Sequence, residues 1–171
     1  MLNPVSAPTG VTTPNYSDRI GFAQLTRRAF EGGDLHPLRE HLLDRIAQGT
    51  AEAGEGLDLS LIAQLLGEKE AGLVIQTEVL SFHQLFRTPC AAPKARLRVL
   101  ALAADIDMGG NTPIDFLLED SDIELLTLYV VEGVGLPKDL PEHDVAIVVA
   151  SDSEECREAL ASIAHLEKVD A

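Results

Sequence analysis

The chain has 171 residues, of which 46% are hydrophobic and 4% aromatic, and Trp is absent. Its interior must therefore be built mainly from Leu, Ile, Val and Ala, and a charged fraction of 24% is typical of a folded domain. The formal net charge of −15 disfavours nucleic acid and anionic lipid membranes as partners, because both carry dense negative charge.

The expected location of the chain follows from segments that its sequence lacks. Residues 1–15 contain no apolar region of a signal peptide, and no run of 18 apolar residues would span a membrane. The two cysteines, Cys90 and Cys156, show no disulfide framework. We therefore expect a reduced, cytoplasmic protein.

The negative charge is concentrated in the C-terminal part of the sequence. Residues 1–104 contain 10 Lys and Arg against 11 Asp and Glu, whereas residues 105–171 contain 3 against 17. A surface of this kind favours a basic peptide or a basic protein surface as partner. The alternative is that the acidic residues only keep a Leu-rich domain soluble.

The N-terminal part is predicted to be a disordered lead over residues 1–15 and a helical region over residues 16–87. Apolar residues at helical spacing predict four helices, and Gly residues between them predict turns. Asp34 and Asp58 are predicted to cap the second and third helices. The predicted helices cover 17–31, the segment from Asp34 to a turn at 49–56, then 58–66 and 69–86.

The segment from Leu65 to Leu80 has the features of a close helical hairpin. Leu66-Gly67 lets the chain reverse, and Gly72 lets two helices approach. With Val79-Leu80 in place of the usual Ala-Leu, the segment resembles one tetratricopeptide repeat. The resemblance implies hairpins that bind peptides or partner subunits, although one hairpin alone cannot form a solenoid.

Residues 88–96 are predicted to be a linker, and the apolar periodicity changes after it. Short runs that are apolar on both faces, separated by a helix, indicate a parallel sheet covered by helices. We therefore predict an α/β fold with an acidic domain over 97–171 and a three-stranded parallel layer, whose edges are open to a partner or a second copy. The predicted strands cover 97–104, 123–131 and 144–150, and the predicted helices cover 112–119 and 151–168.

Five short motifs mark this region: Arg98-Val99-Leu100, Asn111-Thr112-Pro113, Phe116-Leu117-Leu118-Glu119, Ser121-Asp122 and Leu128-Tyr129-Val130. With the helical region before them, they resemble bacterial proteins that combine tetratricopeptide-like helices, a Rossmann-like pre-ATP-grasp segment and usually an ATP-grasp ligase domain of the glutathione-synthetase type. The resemblance covers residues 20–150 and implies a segment that packs against catalytic domains. It supplies no catalytic residue, because no position of the chain matches the ATP, metal or acyl-phosphate machinery of such ligases.

The loop after the first predicted strand is the best candidate for a ligand site. It leaves the carboxyl end of a strand, where open α/β sheets commonly bind ligands. Its glycines permit close backbone approach, and its carboxylates favour a hard cation or an amino group over phosphate. The alternative is a glycine turn in which Asn111 or Thr112 caps the next helix. The candidate residues are Asp105, Asp107, Gly109, Gly110, Asn111 and Thr112.

The last predicted helix carries an acidic face that is a candidate docking surface for a basic partner. The residues concerned are Glu154, Glu155 and Glu158, and the alternative is an ordinary solvated face. No His pair has metal-ligand spacing, and no Ser or Cys stands in a nucleophile motif. We therefore predict no catalytic residue, no metal site and no cofactor.

Two functions from different classes remain open. The first, which we favour, is a non-catalytic protein- or peptide-binding module, an accessory or regulatory subunit. It would assemble with a partner or with itself through an open sheet edge or a helical face. The second is the N-terminal region of an ATP-grasp carboxylate–amine ligase, which would contribute packing rather than catalysis.

Overall fold

The computed structural model describes residues 15–137 and 140–166. The predicted disordered lead therefore lies outside the described residues, except for Asn15. Within these ranges the chain forms six α-helices and one five-stranded sheet, which confirms the prediction of an α/β fold. None of the helices described is long and apolar enough to cross a membrane.

Four helices precede the longest strands of the sheet, and two further helices follow later in the chain. The four are α1 (Phe22–Phe30), α2 (His36–Ala47), α3 (Ala53–Leu65) and α4 (Lys69–Leu80). The later helices are α5 (Asp115–Leu118) and α6 (Arg157–Leu166), and a 3₁₀ turn at Glu154–Cys156 precedes α6.

Helix α3 is the centre of the helical part and begins earlier than the sequence indicates. Glu52 and Glu55 form a capping box, so the helix begins at Ala53 and not at Asp58, as predicted. The predicted turn at 49–56 is correspondingly shorter. Because α1, α2 and α4 all pack against α3, its residues from Gly54 to Gln64 are buried almost without exception.

Helices α3 and α4 form a tight hairpin. Gly67 adopts a φ of +86° in the turn, a conformation that costs glycine little. A Cβ added at Gly72 would lie 2.7 Å from the Ser60 carbonyl oxygen, so only glycine allows this approach of the two helices. The expected hairpin is therefore present, while its kinship to a tetratricopeptide repeat remains a matter of resemblance.

The sheet is mixed, with the strand order β1-β2-β4-β3-β5. The strands are β1 (Ser17–Asp18), β2 (Leu85–Thr88), β3 (Leu97–Ala104), β4 (Ile123–Val130) and β5 (Val145–Val148). β3 pairs in parallel with β4 and β5, whereas β2 is antiparallel to β4 and β1 is parallel to β2. The predicted three-stranded layer is thus incomplete, because two further strands extend the sheet beyond β4.

β1 and the first half of β2 lie where the sequence predicts helix, and the last residue of β2, Thr88, lies in the predicted linker. The helix predicted over 17–31 begins only at Phe22, and the helix predicted over 69–86 ends at Leu80. Leu85 and Phe86 continue the apolar stripe of α4, which explains the prediction. In the structure β2 instead pairs with β4, and Phe86 is completely buried beside Leu57 and Leu80. Pairing with a distant strand therefore overrides the local pattern.

The two faces of the sheet are covered by different elements. On one face, α6 and the turn before it bring Cys156 and Ile163 against Leu100, Leu126 and Leu128. On the other face, Ile114 and Leu118 at α5 pack on Ala101, Ala103 and Leu125. The alternation of these strand residues follows from the two-residue period of a β-strand.

Candidate functional site

The predicted site loop lies at the carboxyl end of β3, and much of its polar surface is used inside the protein. The Ala104 N–H donates to Asn111 Oδ1 (2.8 Å), and Asn111 Nδ2 donates to the Ala104 carbonyl (2.9 Å). The Thr112 N–H donates to the Val149 carbonyl (2.7 Å), which joins the loop to the end of β5. Asn111 and Thr112 therefore close the loop and are bound to its own backbone and to the neighbouring strand.

The two aspartates of the loop bind side chains of α4. Gln76 Nε2 donates to Asp105 Oδ1 (2.9 Å) and to the Ile106 carbonyl (2.9 Å). Asp107 is ion-paired with Lys69, whose hydrogen bond lowers the pKa of the Asp107 carboxyl. These contacts attach the loop to the helical part, which is a structural role that the sequence did not indicate.

The glycines and the helix after the loop also depart from the predicted arrangement. The Gly109 N–H donates to Asp107 Oδ1 (3.2 Å), and the Gly110 carbonyl accepts from Ser151 (3.3 Å). Helix α5 begins at Asp115 and has only four residues, so the predicted helix start at Thr112 is wrong. Asp107, Asn111 and Thr112 line a cavity of about 70 Å³, which is too small for more than a few waters, whereas Asp105, Gly109 and Gly110 do not line it.

Arg19 is the most connected buried side chain near this cavity, and sequence reasoning missed it. Its side chain is 6% exposed and contacts Asp115 at 3.4 Å. Its guanidinium also donates to the hydroxyl groups of Thr88 (3.2 Å), Thr127 (3.1 Å) and Tyr129 (3.2 Å). Burial by itself would lower the pKa of the Arg19 guanidinium. Tyr129 and Asp115 raise this pKa by more than burial lowers it, so the guanidinium stays charged.

Asp58 is a second buried charge, and it lies within α3 rather than at its predicted cap position. Its carboxylate accepts from the N–H groups of Ile20 (2.7 Å) and Gly21 (3.1 Å). Burial raises the pKa of Asp58 to about 6, although these two hydrogen bonds act in the opposite direction. An acidic residue among Leu57, Leu59 and Leu61 was the available sequence signal for a buried role.

A larger cavity of about 320 Å³ lies between α1, the segment after β2 and α5. Among its charged wall residues, Arg19 is paired with Asp115, and Glu119 is paired at 2.6 Å with Arg27, which lies outside the wall. The half-buried Cys90 thiol donates to the Ala92 carbonyl at 3.3 Å. Neither a nucleophile with an adjacent base nor a convergent set of acidic ligands is formed by these walls.

An apolar depression, here called the helical groove, lies between α2, α3 and α4 and has a volume of about 370 Å³. Gly56 forms part of its floor, because a Cβ there would lie 2.8 Å from Val79 Cγ2. The charged side chains that line it are both glutamates, Glu52 and Glu78. Its apolar walls include Leu43, Ile46, Leu59, Val79 and Phe82.

The predicted acidic surface lies at the start of the last helical segment. Glu154, Glu155 and Glu158 are all exposed, and Glu154 is ion-paired with Arg157. The residue before the 3₁₀ turn is Ser153, and it makes no side-chain cap hydrogen bond. The acidic residues follow β5, whose four residues are all exposed.

Neither similarity to known proteins nor a cluster of metal ligands among the described residues identifies a function for this chain. Among the residues that the structure describes, no group of three or more His, Cys, Asp or Glu side chains has the geometry to hold a metal ion. No family model, no curated protein and no solved structure is significantly similar to this chain. The surfaces described above are therefore the basis for any functional proposal.

Proposed function

We propose that this chain is a non-catalytic protein-binding module whose helical groove receives a basic, amphipathic helix of a partner. The observation that carries the proposal is the combination of exposed apolar walls and a purely acidic rim in the groove. An amphipathic helix would place its apolar side chains against Leu43, Ile46 and Phe82, as in other helix-in-groove complexes. Lys or Arg on that helix would face Glu52 and Glu78.

The exposure of Phe82 supports this interpretation. Phe82 is 69% exposed immediately after α4, and an apolar aromatic ring gains little from contact with water. Covering its exposed surface together with Leu43 and Ile46 would stabilise a complex by the hydrophobic effect. The groove volume is sufficient for about three Leu-sized side chains, each of the size of a common helix anchor.

The test uses a synthetic helical peptide with Leu at positions i, i+3, i+4 and i+7 and Lys at exposed positions. Fluorescence anisotropy of the labelled peptide should show binding to the protein. We expect Phe82→Ser to weaken binding about tenfold, because an anchor contact of 1–2 kcal/mol is lost. A peptide with Ala in place of Leu keeps the charge and should bind much more weakly.

The matched control is Val74→Ser, because Val74 is 68% exposed on α4 but does not line the groove. Both substitutions leave the net charge unchanged. Equal weakening by the two variants, or equal affinity for the Leu and Ala peptides, would show that binding is only electrostatic and would contradict the proposal.

The second candidate function is the N-terminal region of an ATP-grasp carboxylate–amine ligase. The parallel arrangement of β3, β4 and β5, with α5 between β3 and β4, supports it. One observation distinguishes the candidates. An ATP-grasp reading frame continuous with this coding sequence would favour the ligase, and calorimetry with ATP should show no binding to this chain under either proposal.

A further inference from the structure

One edge of the sheet ends in a strand whose outer side is open. Within the described residues, β5 pairs only with β3. Hydrogen bonds extend the pairing at both ends, since Asp144 donates to the Arg98 carbonyl (2.9 Å) and Val149 donates to the Leu102 carbonyl (2.9 Å). The segment 144–149, here called the β5 edge, is therefore an extended backbone of six residues with unpaired groups along one side.

The side chains of this strand are exposed on both faces of the sheet. Val145 is 51% exposed and Ile147 is 41% exposed. Their partners in β3 belong to the face of the sheet on which α5 packs, so both side chains lie on that face. Val148 is also exposed at 41%, on the face that α6 covers farther along the sheet. The β3 residues that pair with them are buried or half-buried. The elements that cover the two faces of the sheet therefore extend over β3 but not over β5.

Natural proteins usually protect such an edge with Lys, Pro, a bulge or a covering helix. Among residues 15–137 and 140–166, none of these features protects the β5 edge, and its residues Val145 to Val148 are all apolar. Backbone pairing together with apolar side chains at alternate positions is the arrangement by which a sheet accepts an additional strand.

The charges around the edge determine which strand would be accepted. Glu142 and Asp144 precede the strand, and Asp152 and Glu155 follow it. All four residues are exposed. The two arginines nearest in sequence or pairing already have carboxylate partners. Arg98 contacts Glu124 (3.0 Å) and, at the longer distance of 3.7 Å, Glu142, whose side chain remains 90% exposed; Arg157 is paired with Glu154. A second copy would bring the same excess of negative charge to the same place, which disfavours self-pairing.

We propose that the β5 edge binds an extended segment of a partner protein that has alternating apolar residues between Lys or Arg at both ends. The partner adds a sixth strand to the sheet beside β5. Its basic ends face Glu142 at one end of the strand and Glu155 at the other. This surface is separate from the helical groove, so the proposal does not depend on the function proposed for the groove.

The experiment uses a synthetic peptide in which Val and Thr alternate over six residues between paired Lys at each end. Fluorescence anisotropy reports its affinity, and hydrogen exchange reports which amides of the protein become protected. We expect exchange to slow at Ala146 and Val148, whose N–H groups face outward because N–H groups alternate along a strand and that of Val149 is bound to β3. We also expect affinity to fall as salt rises. Unchanged exchange in this strand at saturating peptide would overturn the proposal.

The substitutions are chosen at exposed positions, so that folding is not at risk. Glu142→Lys with Glu155→Lys reverses one charge at each end of the strand and should weaken binding about tenfold. Glu31→Lys with Glu40→Lys changes the net charge equally at exposed sites of the helical part and should change affinity less than about twofold. Equal effects of the two double variants would mean non-specific attraction and would overturn the proposal.

Two further measurements separate this proposal from its alternatives. The groove variant Phe82→Ser should bind the strand peptide with unchanged affinity, whereas a shared site would reduce it. Sedimentation velocity should show a monomer at all concentrations tested. A dimer that is abolished by Ile147→Lys would assign the edge to a second copy of the chain and would overturn the proposal.

Discussion

At the residue scale, Asp58 and Arg19 illustrate two ways of burying a charge. Arg19 keeps its charge because a carboxylate and three hydroxyl groups surround its guanidinium. Asp58 is bound only by backbone N–H groups of Ile20 and Gly21, and burial raises its pKa to about 6. Asp58 is therefore expected to bind a proton more tightly in the folded than in the unfolded chain.

This difference predicts an effect of pH on stability. Because the folded pKa of Asp58 is raised, its contribution to stability is fully present below about pH 4 and is lost as the pH rises through about 6. We expect the unfolding free energy of the wild type, relative to Asp58→Asn, to fall by at most about 3 kcal/mol between pH 4 and 7. Urea unfolding followed by circular dichroism measures the difference at each pH.

The control for this measurement is Asp34→Asn. The hydrogen bonds from His36 lower the pKa of the exposed Asp34, so its contribution should change with pH in the opposite direction. A difference between wild type and Asp58→Asn that is constant, or that grows with pH, would show that folding does not raise the pKa of Asp58.

At the scale of elements, the position of β1 depends on one glycine of α3. The Gly54 N–H donates to Ser17 Oγ (2.8 Å), and a Cβ added at Gly54 would collide with the Asp18 carbonyl oxygen. Backbone atoms cannot move aside as a flexible side chain can. β1, which ends at Asp18, therefore packs in direct contact with the first turn of α3.

We expect Gly54→Ala to destabilise the protein by about 2 kcal/mol or more, because β1 must shift away from α3. The matched control is Gly135→Ala, where an added Cβ meets nothing within 4 Å and φ lies outside the left-handed region. Thermal unfolding of both variants measures the effect. Similar melting temperatures for the two variants would contradict the inferred contact.

The same elements show how far the sequence predicts the fold. The strand predicted over 97–104 agrees with β3, and α1 ends at Phe30, one residue before its predicted end, because these features depend on local pattern. β1 and β2 were missed because two and four residues are too few to establish a strand period, and their pairing partners lie far along the chain.

The candidate site was predictable only in position. The sequence placed Asp105 to Thr112 at the carboxyl end of a strand, as the structure has them. It did not predict that Gln76 and Lys69 of α4 bind the two aspartates, because such contacts depend on how the helices pack on the sheet. Nor did it indicate Arg19, which was assigned to a helix that does not include it.

At the scale of the whole molecule, Arg19 joins the N-terminal segment to three other parts of the fold. Its guanidinium contacts Thr88 in β2, Thr127 and Tyr129 in β4, and Asp115 in α5. The helical part and the sheet are therefore connected through one buried cation as well as through the loop after β3.

We expect Arg19→Met to destabilise the protein by about 3–5 kcal/mol, because it leaves the partly buried Asp115 carboxylate without its partner. The control is Arg28→Met, since Arg28 is exposed on α1 and should change stability by less than about 0.5 kcal/mol. Chemical denaturation measures both. A loss for Arg19→Met as small as that of the control would show that the network contributes little.

The order of the strands also has a consequence for synthesis on the ribosome. β2 is made before β4, and Leu85 precedes its partner Leu128 by roughly 40 residues, which corresponds to a delay of several seconds at ordinary translation rates. During that interval the hairpin of α3 and α4 has all of its own contacts, whereas Phe86 has β1 on one side and lacks β4 on the other. We expect the nascent chain to depend on chaperones chiefly in this interval, and to release them when β4 emerges.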